Sequence, residues 1–319
     1  MILITGASGF LGGHLTERLS NKALTLIARN KSFSSSPHRS FCTEINSTTD
    51  YSKALPGCDT IIHCAARVHV MDDVHSEPIE AYREVNTKGT INLARQASKF
   101  GVKRFIFVSS IKVNGQNTAL GKPFCSQDKS NPKDDYGISK AEAEKLLLQI
   151  GLDTGMEIVI IRPTLVYGPG VKANFASLMN LVSKGLPLPF GCIKSNKRSL
   201  VSVENLVDLI VVCVDHPKAV NQVFLVSDDH DVSTYEIVRH MAQALGKQTW
   251  QLPVPIWCYS LVGKALNKSD VVDRLTGSLQ VDISHTKETL GWVPPQSLQE
   301  GFKLTAEAFL QSKKSDGKA

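Results

Sequence analysis

Short apolar segments rich in β-branched residues alternate with segments of helical periodicity along the first half of the chain. Six of the apolar segments predict strands, at Met1–Thr5, Leu24–Ala28, Phe41–Ile45, Thr60–Ala65, Phe105–Ser109 and Glu157–Arg162. Strands that are apolar throughout and are separated by helices are typical of a parallel sheet covered on both faces. The pattern therefore predicts an α/β fold built on a doubly wound parallel sheet.

The chain after Arg162 has a different texture, because proline and glycine interrupt the alternation. One more strand is predicted at about 221–228, where the chain returns to the sheet, and Leu298–Leu310 is predicted as an amphipathic helix. We therefore expect a first domain at 1–168, a smaller C-terminal substrate lobe at 169–311 and a disordered tail at 312–319.

Composition narrows the class of protein. Of 319 residues, 42% are hydrophobic and 21% are charged, which excludes a chain too polar to collapse. No apolar run approaches the roughly 20 residues of a membrane-spanning helix, and no cationic start precedes an apolar segment, so we expect a cytoplasmic protein without a membrane partner. The seven cysteines include no C-x-x-C pair, so neither a disulfide framework nor a metal site is predicted. A net charge of +6 is too small to indicate nucleic acid.

A glycine-rich turn follows the first predicted strand directly. Gly6, Gly9 and Gly12 lie between that strand and a predicted helix. In such a turn the first glycine permits the tight bend, the second lets backbone amides approach a pyrophosphate, and the third allows helix and strand to pack closely. The spacing predicts that residues 1–168 form a Rossmann domain that binds NAD or NADP.

The end of the second strand bears on the choice between these cofactors. An acidic residue there binds a ribose hydroxyl, whereas arginine accommodates a 2′-phosphate. The strand ends at Ala28, and Arg29 follows it without a neighbouring carboxylate. Arg29 therefore favours NADP over NAD, and the alternative is that it is an ordinary solvated cation.

A phenol and an ammonium group are predicted one helical turn apart, at Tyr136 and Lys140. Tyrosine has an ordinary pKa of about 10 and transfers protons poorly at neutral pH, but a cation nearby in a desolvated cleft lowers that pKa. The pair follows a predicted strand that ends at Ser109 and Ser110, and α/β folds place their sites at such strand ends. The two features together predict an active site.

These motifs resemble the extended short-chain dehydrogenase/reductase family, whose members include NAD-dependent epimerases and dehydratases. The likeness covers nearly the whole chain in family order, through Thr5–Gly12, His63-Cys64-Ala65-Ala66, Asn86, Ser109-Ser110, Tyr136 with Lys140, and Arg162-Pro163 with Tyr167-Gly168-Pro169. The resemblance implies that Tyr136 is the acid/base and that Lys140 holds the nicotinamide ribose and lowers the pKa of the tyrosine. It also implies that Ser110 hydrogen-bonds the reacting oxygen, with Ser109 as the alternative.

The resemblance further implies a set of residues around the cofactor. Its members are Gly6, Ser8, Gly9, Phe10, Leu11, Gly12, Arg29, Ala65, Ala66, Tyr136, Lys140 and Pro163. Asn86 is expected to be a helix N-cap that supports the structure near the cofactor.

The second lobe resembles nucleotide-sugar enzymes of the same family. Arg198 matches the arginine that clamps a UDP pyrophosphate, and Arg274 and Asn174 match further positions that contact the nucleotide. Arginine suits a diphosphate because its planar fork donates two hydrogen bonds. For each residue the alternative is a surface salt bridge or a loop cap. The resemblance implies a UDP-linked sugar as substrate and a homodimer.

Two segments, 109–115 and 277–282, look most like bacterial 4-ketoreductases that make UDP-N-acetylquinovosamine for surface polysaccharide. We therefore expect NADPH-dependent reduction of the C4 keto group of a UDP-4-keto-6-deoxy-N-acetylhexosamine, with Tyr136 as proton donor. The alternative is a 4-epimerase of UDP-glucose or UDP-N-acetylglucosamine with bound NAD, which uses the same groups. A more remote alternative is a noncatalytic NADP-binding regulator on the same fold.

Overall fold

The computed structural model of the chain describes residues 1–29, 38–68 and 78–316. For a few residues within these ranges only the backbone is described, namely Ala173, Asn174, Asp270, Ser315 and Asp316. The strands of the described residues are β1 (Ile2–Thr5), β2 (Leu24–Ala28), β3 (Arg39–Cys42), β4 (Thr60–His63), β5 (Arg104–Val108), β6 (Glu157–Pro163), β7 (Leu165–Tyr167), β8 (Arg198–Ser202), β9 (Gln222–Val226) and β10 (Asp231–Val232).

Helices connect most of these strands. They are α1 (Phe10–Arg18), α2 (Pro78–Tyr82), α3 (Thr90–Lys99), α4 (Asp135–Thr154), α5 (Ala173–Ser183), α6 (Val203–Asp215), α7 (Thr234–Ala244), α8 (Ile256–Ala265), α9 (Ser269–Thr276), α10 (Ser284–Leu290) and α11 (Leu298–Asp316). A π-helical segment, Arg83–Gly89, joins α2 to α3.

Seven strands form one fully parallel sheet, in the order β3-β2-β1-β4-β5-β6-β9. The predicted doubly wound α/β fold is confirmed, and β9 joins the sheet beside β6 as expected. The strand order reverses at β1, which lies between β2 and β4. In open parallel sheets this reversal opens a crevice at the carboxyl ends of the strands, and such crevices bind ligands.

The two faces of the sheet carry separate apolar cores. One core packs α1 and α6 against residues such as Ile4 and Ile161, and the other packs α3 and α4 against residues such as Leu3 and Ile160. The alternation of Leu3 with Ile4 and of Ile160 with Ile161 follows from the two-residue period of a strand. Burial on both faces explains why these strands are apolar at nearly every position.

The third strand differs from the prediction, because it spans Arg39–Cys42 and not Phe41–Ile45. This strand lies at the edge of the sheet, and Arg39, Ser40 and Cys42 are exposed. An edge strand needs fewer apolar residues, so the apolar pattern misplaced its start. Ile45, which follows the strand, is buried in the core that contains α3 and α4.

A smaller sheet and a third core lie mainly in the C-terminal half of the chain. Its strands lie in the order β10-β8-β7, and α5, α7 and α11 pack around them. The buried Tyr167 connects this part to the main sheet, because its phenol donates a 2.7 Å hydrogen bond to the Asp228 carboxylate, just beyond β9. That carboxylate also accepts hydrogen bonds from the amide of Ser202 and the side chain of Asn205. The division at residue 168 stays a prediction.

The last helix extends further than the apolar pattern indicated. It runs to Asp316 and not to Leu310, so residues 312–316 of the expected disordered tail are helical. Residues 317–319 lie outside the described residues. Across the described ranges, no helix combines the length and apolar character needed to cross a membrane.

Candidate active site

The glycine turn sits at the carboxyl end of β1, beside the loop that follows β4. Gly6 has a φ of +68°, and a Cβ built on it would lie 2.8 Å from the backbone nitrogen of Ala65. Only glycine combines that backbone conformation with such a close approach of two loops. The turn therefore brings the Ala65 and Ala66 segment to the crevice, and their contact with the cofactor stays a prediction.

The third glycine controls how closely α1 approaches the turn. A Cβ on Gly12 would overlap the carbonyl oxygen of Gly6, and one on Gly9 would lie 3.0 Å from the same atom. Gly9 is the N-cap of α1 and supplies no side-chain cap, so the amides of the first turn keep free donors. Free amides at a helix N-terminus suit a pyrophosphate, so these residues fit a dinucleotide cofactor.

The other predicted cofactor residues lie around this turn at different depths. Ser8 is exposed, and Leu11 is half-buried. Phe10 packs edge-on against His14, with 5.5 Å between the ring centroids. Arg29 is exposed directly after β2, and Pro163 is buried at the end of β6.

A buried histidine under the crevice is a feature that the sequence reasoning missed. His63 hydrogen-bonds Thr5 through Nδ1 at 2.7 Å and Thr90 through Nε2 at 2.9 Å. The Thr90 hydroxyl donates its proton to the carbonyl of Asn86, so Nε2 of His63 is the donor and Nδ1 is the acceptor. Burial, and then the charge of Lys140, lower the pKa of His63 to about 3. The imidazole is therefore a neutral link between β1, β4 and α3.

Asn86 lies inside the π-helical segment and is buried, so the expectation of a helix N-cap is wrong. Its side chain donates to the carbonyl of Arg67 and to the hydroxyl of Ser139, and it accepts from the amide of Arg67. The wider turn of a π-helix displaces a side chain from the regular helical register, and π-helical turns are common at functional sites. Asn86 ties the loop after β4 to α4, which carries the tyrosine.

Tyr136 lies in the first turn of α4, whose N-cap is Asp134. The Asp134 carboxylate accepts the amide of Gly137 at 2.7 Å and pairs with the Lys112 ammonium at 2.5 Å. The Ser110 hydroxyl lies near enough to the Tyr136 phenol to lower the pKa of that phenol, so the two predicted residues are neighbours. Neither Asp134 nor Lys112 was singled out from the sequence, although an aspartate two residues before the tyrosine is a typical N-cap signal.

Burial raises the pKa of Tyr136 to about 12, and the Asp134 carboxylate adds to this shift. The nearby Ser110 hydroxyl acts in the opposite direction and lowers the pKa. The expected lowering of this pKa by Lys140 is therefore not what the structure shows. Burial favours the neutral form of a phenol, and here that effect dominates.

Lys140 is 1% exposed, one helical turn after Tyr136. Its ammonium donates a 2.8 Å hydrogen bond to the carbonyl of Val108 and lies 4.3 Å from the ring centroid of Phe107. Burial lowers the pKa of Lys140 to about 8, against the opposing charges of Cys64 and Glu144. The ammonium thus lies between the end of β5 and the loop after β4, on the crevice side of α4.

The two adjacent serines have different surroundings. The Ser109 hydroxyl donates a 2.5 Å hydrogen bond to Glu144, and Glu144 forms a buried ion pair with Arg162. Arg162 also donates to Asn114 at 2.9 Å. Ser109 is therefore committed to a structural network, which leaves Ser110 as the serine that faces the phenol. Glu144 and Asn114 are further residues that sequence reasoning missed.

The structure brings together two of the three residues that are predicted to bind the nucleotide part of the substrate. The Arg198 guanidinium donates to the backbone carbonyls of Arg274 and Gly277 at 3.0 and 3.1 Å. Burial lowers the pKa of Arg198, and the charge of Arg274 acts in the same direction. Two cations held together suit a doubly charged ligand. Asn174 lies in the first turn of α5, and its side chain lies outside the described residues.

A backbone connection joins this arginine pair to the tyrosine side of the site. Thr118 pairs with Ser278, and the amide of Phe124 donates to the carbonyl of Gln280. Both partners lie in the segment that follows Arg274, while Thr118 and Phe124 lie in the loop that follows Ser110. Among the described residues, no group of three or more His, Cys, Asp or Glu is placed to hold a metal ion.

Extended short-chain dehydrogenases/reductases combine a glycine turn at β1 with a Tyr-x-x-x-Lys helix beside the end of β5, and this fold and site define that class. The family model described as the NAD dependent epimerase/dehydratase family matches residues 2–227. The chain therefore belongs to this family of enzymes. A nicotinamide dinucleotide cofactor is confirmed, whereas the preference for NADP over NAD stays a prediction.

Individual relatives and solved structures are similar to nearly the whole chain. A UDP-glucose 4-epimerase of Vibrio cholerae is 63% identical over 314 residues, which cover 98% of this chain and 96% of the relative. An N-acetyl-α-D-glucosaminyl-diphospho-ditrans,octacis-undecaprenol 4-epimerase of Escherichia coli O157:H7 is 29% identical, with 99% and 97% covered. The structure of a UDP-glucose 4-epimerase from Thermotoga maritima has a TM-score of 0.78 at 23% identity, with 98% and 99% covered, and supports the fold alone.

These findings correct the expected reaction. The 63% identical relative is a UDP-glucose 4-epimerase, so the expectation of a 4-ketoreductase is wrong. The segments at 109–115 and 277–282 misled the assignment, because ketoreduction and epimerisation use the same tyrosine, lysine and serine. The alternative of a noncatalytic regulator is also not supported, since the chain belongs to an enzyme family.

Proposed function

We propose that this protein is a UDP-hexose 4-epimerase that interconverts UDP-glucose and its C4 epimer. The observation that carries the proposal is the near full-length relationship to a UDP-glucose 4-epimerase, at 63% identity. At that identity the fold and the site chemistry are shared in most proteins, and the Tyr136, Lys140 and Ser110 arrangement supplies the groups that the reaction needs.

Tyr136 and Ser110 are the proposed partners of the reacting oxygen at C4. The Ser110 hydroxyl is near enough to lower the pKa of the Tyr136 phenol, so one oxygen of a substrate placed against the phenol also comes within reach of the serine. As the phenolate, Tyr136 accepts the proton of the C4 hydroxyl and later returns it, and Ser110 donates a hydrogen bond to that oxygen while it carries negative charge. Because the proton returns to the oxygen at the end, the tyrosine regenerates itself.

The cofactor region follows from the glycine turn and Lys140. A bound nicotinamide supplies a hydride acceptor and donor at C4 and a positive charge near the phenol. The amides at the start of α1 bind the pyrophosphate, and Lys140 reaches from α4 toward the ribose. Epimerisation leaves the cofactor in its starting redox state, so this chain needs only to retain it.

Arg198 and Arg274 are the proposed clamp for the sugar diphosphate. Arg198 is held by two backbone carbonyls beside Arg274, so its orientation is fixed before a ligand binds. Preorganised charge lowers the entropy cost of binding. The clamp holds the diphosphate while the sugar presents first one face of C4 and then the other.

A second candidate substrate is a sugar diphosphate carried on a polyprenol, the kind named for the Escherichia coli relative. One observation favours it: α9, which carries Arg274, packs against α8, whose exposed side chains are largely apolar. In this candidate the arginine clamp is unchanged, and the lipid replaces uridine.

The test is an isomerisation assay with purified protein, UDP-glucose and no added reductant. We expect the same equilibrium mixture from UDP-glucose and from UDP-galactose, without net change in nicotinamide absorbance. Tyr136→Phe should lower kcat by about 10²- to 10⁴-fold while cofactor binding persists, and Tyr235→Phe on α7 serves as the control tyrosine. Unchanged UDP-hexoses after prolonged incubation, or full activity of Tyr136→Phe, would contradict the proposal.

A further inference from the structure

An apolar surface on α8 is left without a partner in the described chain. The large exposed apolar side chains of this helix and of its C-cap are Ile256, Trp257, Leu261, Val262 and Leu266, and they are called the α8 surface below. Trp257 is 64% exposed and Leu261 is 59% exposed, and the preceding Trp250 is 73% exposed. Monomeric proteins rarely leave so many large apolar groups together in water, so such a surface marks an interaction site.

The helix is attached to the body of the protein by its opposite side. Tyr259 packs against the third core, and Gly263 lies against Val272 of α9. Trp257 and Leu261 are one helical turn apart, and Lys264 lies on the same outward face. With ten residues, α8 is too short to span a bilayer and suits a position in the plane of an interface.

The segment 247–268, which carries the α8 surface, has charge of one sign only, and the nearest acidic residues follow it on α9, at Asp270 and Asp273. Lys247, Lys264 and Lys268 are exposed, and no Asp or Glu occurs between residues 247 and 268. Apolar helices that lie in a membrane interface combine tryptophan and leucine with lysine, because the apolar face enters the headgroup boundary while the cations meet anionic lipid. Tryptophan is the side chain most suited to that boundary.

We propose that the α8 surface binds the face of a lipid bilayer that carries anionic headgroups. Trp257 and Leu261 enter the headgroup boundary, and Lys264 and Lys268 contact lipid phosphates. The protein is attached to one face of the bilayer and does not span it, which agrees with the lack of a membrane-spanning helix among the described residues. This proposal replaces the expectation of no membrane partner. The proposal does not rest on the proposed function, because it concerns attachment and not turnover.

A second copy of the chain is a poorer occupant of this surface. In a two-fold symmetric contact the same patch meets itself, so the lysines of one copy would face those of the other. The acid-free segment offers no carboxylate to neutralise them. An anionic bilayer satisfies both the apolar and the cationic parts at once.

The position of α8 gives this attachment a consequence for the site. Helix α9 packs on α8 and carries Arg274 in its last turn, where its carbonyl accepts from Arg198. One helix thus separates the proposed membrane contact from the proposed diphosphate clamp. Attachment through α8 would hold the mouth of the substrate lobe close to the lipid headgroups.

The test is co-sedimentation of the whole protein with vesicles of equal parts phosphatidylglycerol and phosphatidylcholine. We expect binding to these vesicles and much weaker binding to pure phosphatidylcholine. Trp257→Ser and Leu261→Ser should each weaken binding about tenfold. Lys264→Gln should weaken it about fivefold, and added salt should reduce it.

Matched controls use residues of the same type elsewhere on the surface. Val293→Ser and Lys218→Gln change an exposed apolar residue and an exposed lysine away from α8, and both should bind vesicles like the unaltered protein. Tryptophan emission should shift to shorter wavelength with anionic vesicles, and the shift should shrink in Trp257→Ser, since Trp292 is buried.

Three results would overturn the proposal. The first is absence of vesicle binding by the unaltered protein, and the second is equal binding by the α8 variants and the controls. If sedimentation velocity instead shows that Trp257→Ser and Leu261→Ser dissociate a dimer, a second copy is the occupant and the proposal is wrong. Activity on UDP-glucose without vesicles should be unchanged in all these variants, so failure of attachment and failure of the proposed epimerase activity are separately visible.

Discussion

Two polar clusters lie side by side at the carboxyl end of β5, and they differ in how far their hydrogen bonds are satisfied. In the first, Ser109, Glu144, Arg162 and Asn114 bond one another in the interior. In the second, Ser110 meets the Tyr136 phenol at the crevice, where both side chains are only half-buried. The first cluster has no capacity left for a ligand, whereas the second keeps lone pairs for one.

The two adjacent serines therefore have different roles: Ser109 stabilises the structure, and Ser110 is placed for the chemistry. A saturated buried ion pair fixes the ends of β5, β6 and α4 relative to one another, and this rigidity places the open cluster accurately. Sequence position alone does not distinguish the two serines. Their alternating directions along an extended backbone send one inward and one toward the crevice.

The variant with the largest expected effect breaks the ion pair of the first, fully hydrogen-bonded cluster. Glu144→Gln leaves Arg162 buried without its counter-ion, so we expect the free energy of unfolding to fall by about 3–5 kcal/mol. Chemical denaturation of the purified variant measures it. Glu142→Gln on the same helix, whose ion pair with Arg83 is partly exposed, should cost much less. Equal losses in the two variants would mean that burial of the cluster does not stabilise the fold.

The next test concerns the buried ammonium group of Lys140. The pKa of Lys140 is about 8 in the folded protein and 10.5 for the ordinary side chain. The unfolded chain therefore binds more protons between these values, and the free energy of unfolding of the cofactor-free protein should rise with pH through that window. Below pH 8 the penalty is fully present, and it amounts to roughly 3 kcal/mol.

Lys140→Met removes the titrating group, so this rise between pH 8 and pH 10.5 should disappear in the variant. Lys145→Met, an exposed lysine on α4, should keep the rise. Denaturation curves at several pH values measure it for each protein. A rise that persists in Lys140→Met would assign the effect to another group.

The smallest test compares the two serines directly. Ser110→Ala should lower kcat about ten- to a hundredfold, because it removes a hydrogen bond to an oxygen that gains charge. Ser109→Ala should leave kcat unchanged and lower the free energy of unfolding by about 1 kcal/mol, since Glu144 keeps its bonds to Arg162. For both variants, the isomerisation assay measures kcat and chemical denaturation measures the free energy of unfolding. The reverse pattern would exchange the roles of the serines.

The sequence by itself determined the sheet, the glycine turn and the residues that meet at the crevice. Strands apolar at nearly every position specify a sheet covered on both faces. The spacing of the glycines specifies the turn because Gly9 and Gly12 each meet a steric demand from Gly6, a few residues away. Tyr136 and Lys140 share a helix face for the same local reason. Such features depend on neighbours a few residues apart, which a pattern can show.

The tertiary structure alone decided which of these groups are buried, paired or free. The bond between Ser109 and Glu144, the links from His63 to Thr5 and Thr90, and the pKa of Tyr136 depend on residues distant in the chain. The α8 surface is a second case, because helical apolar residues are expected in a core until the packing shows that no described part of the chain covers them. Local pattern specifies what a residue can do, and only the packing of distant elements specifies its surroundings.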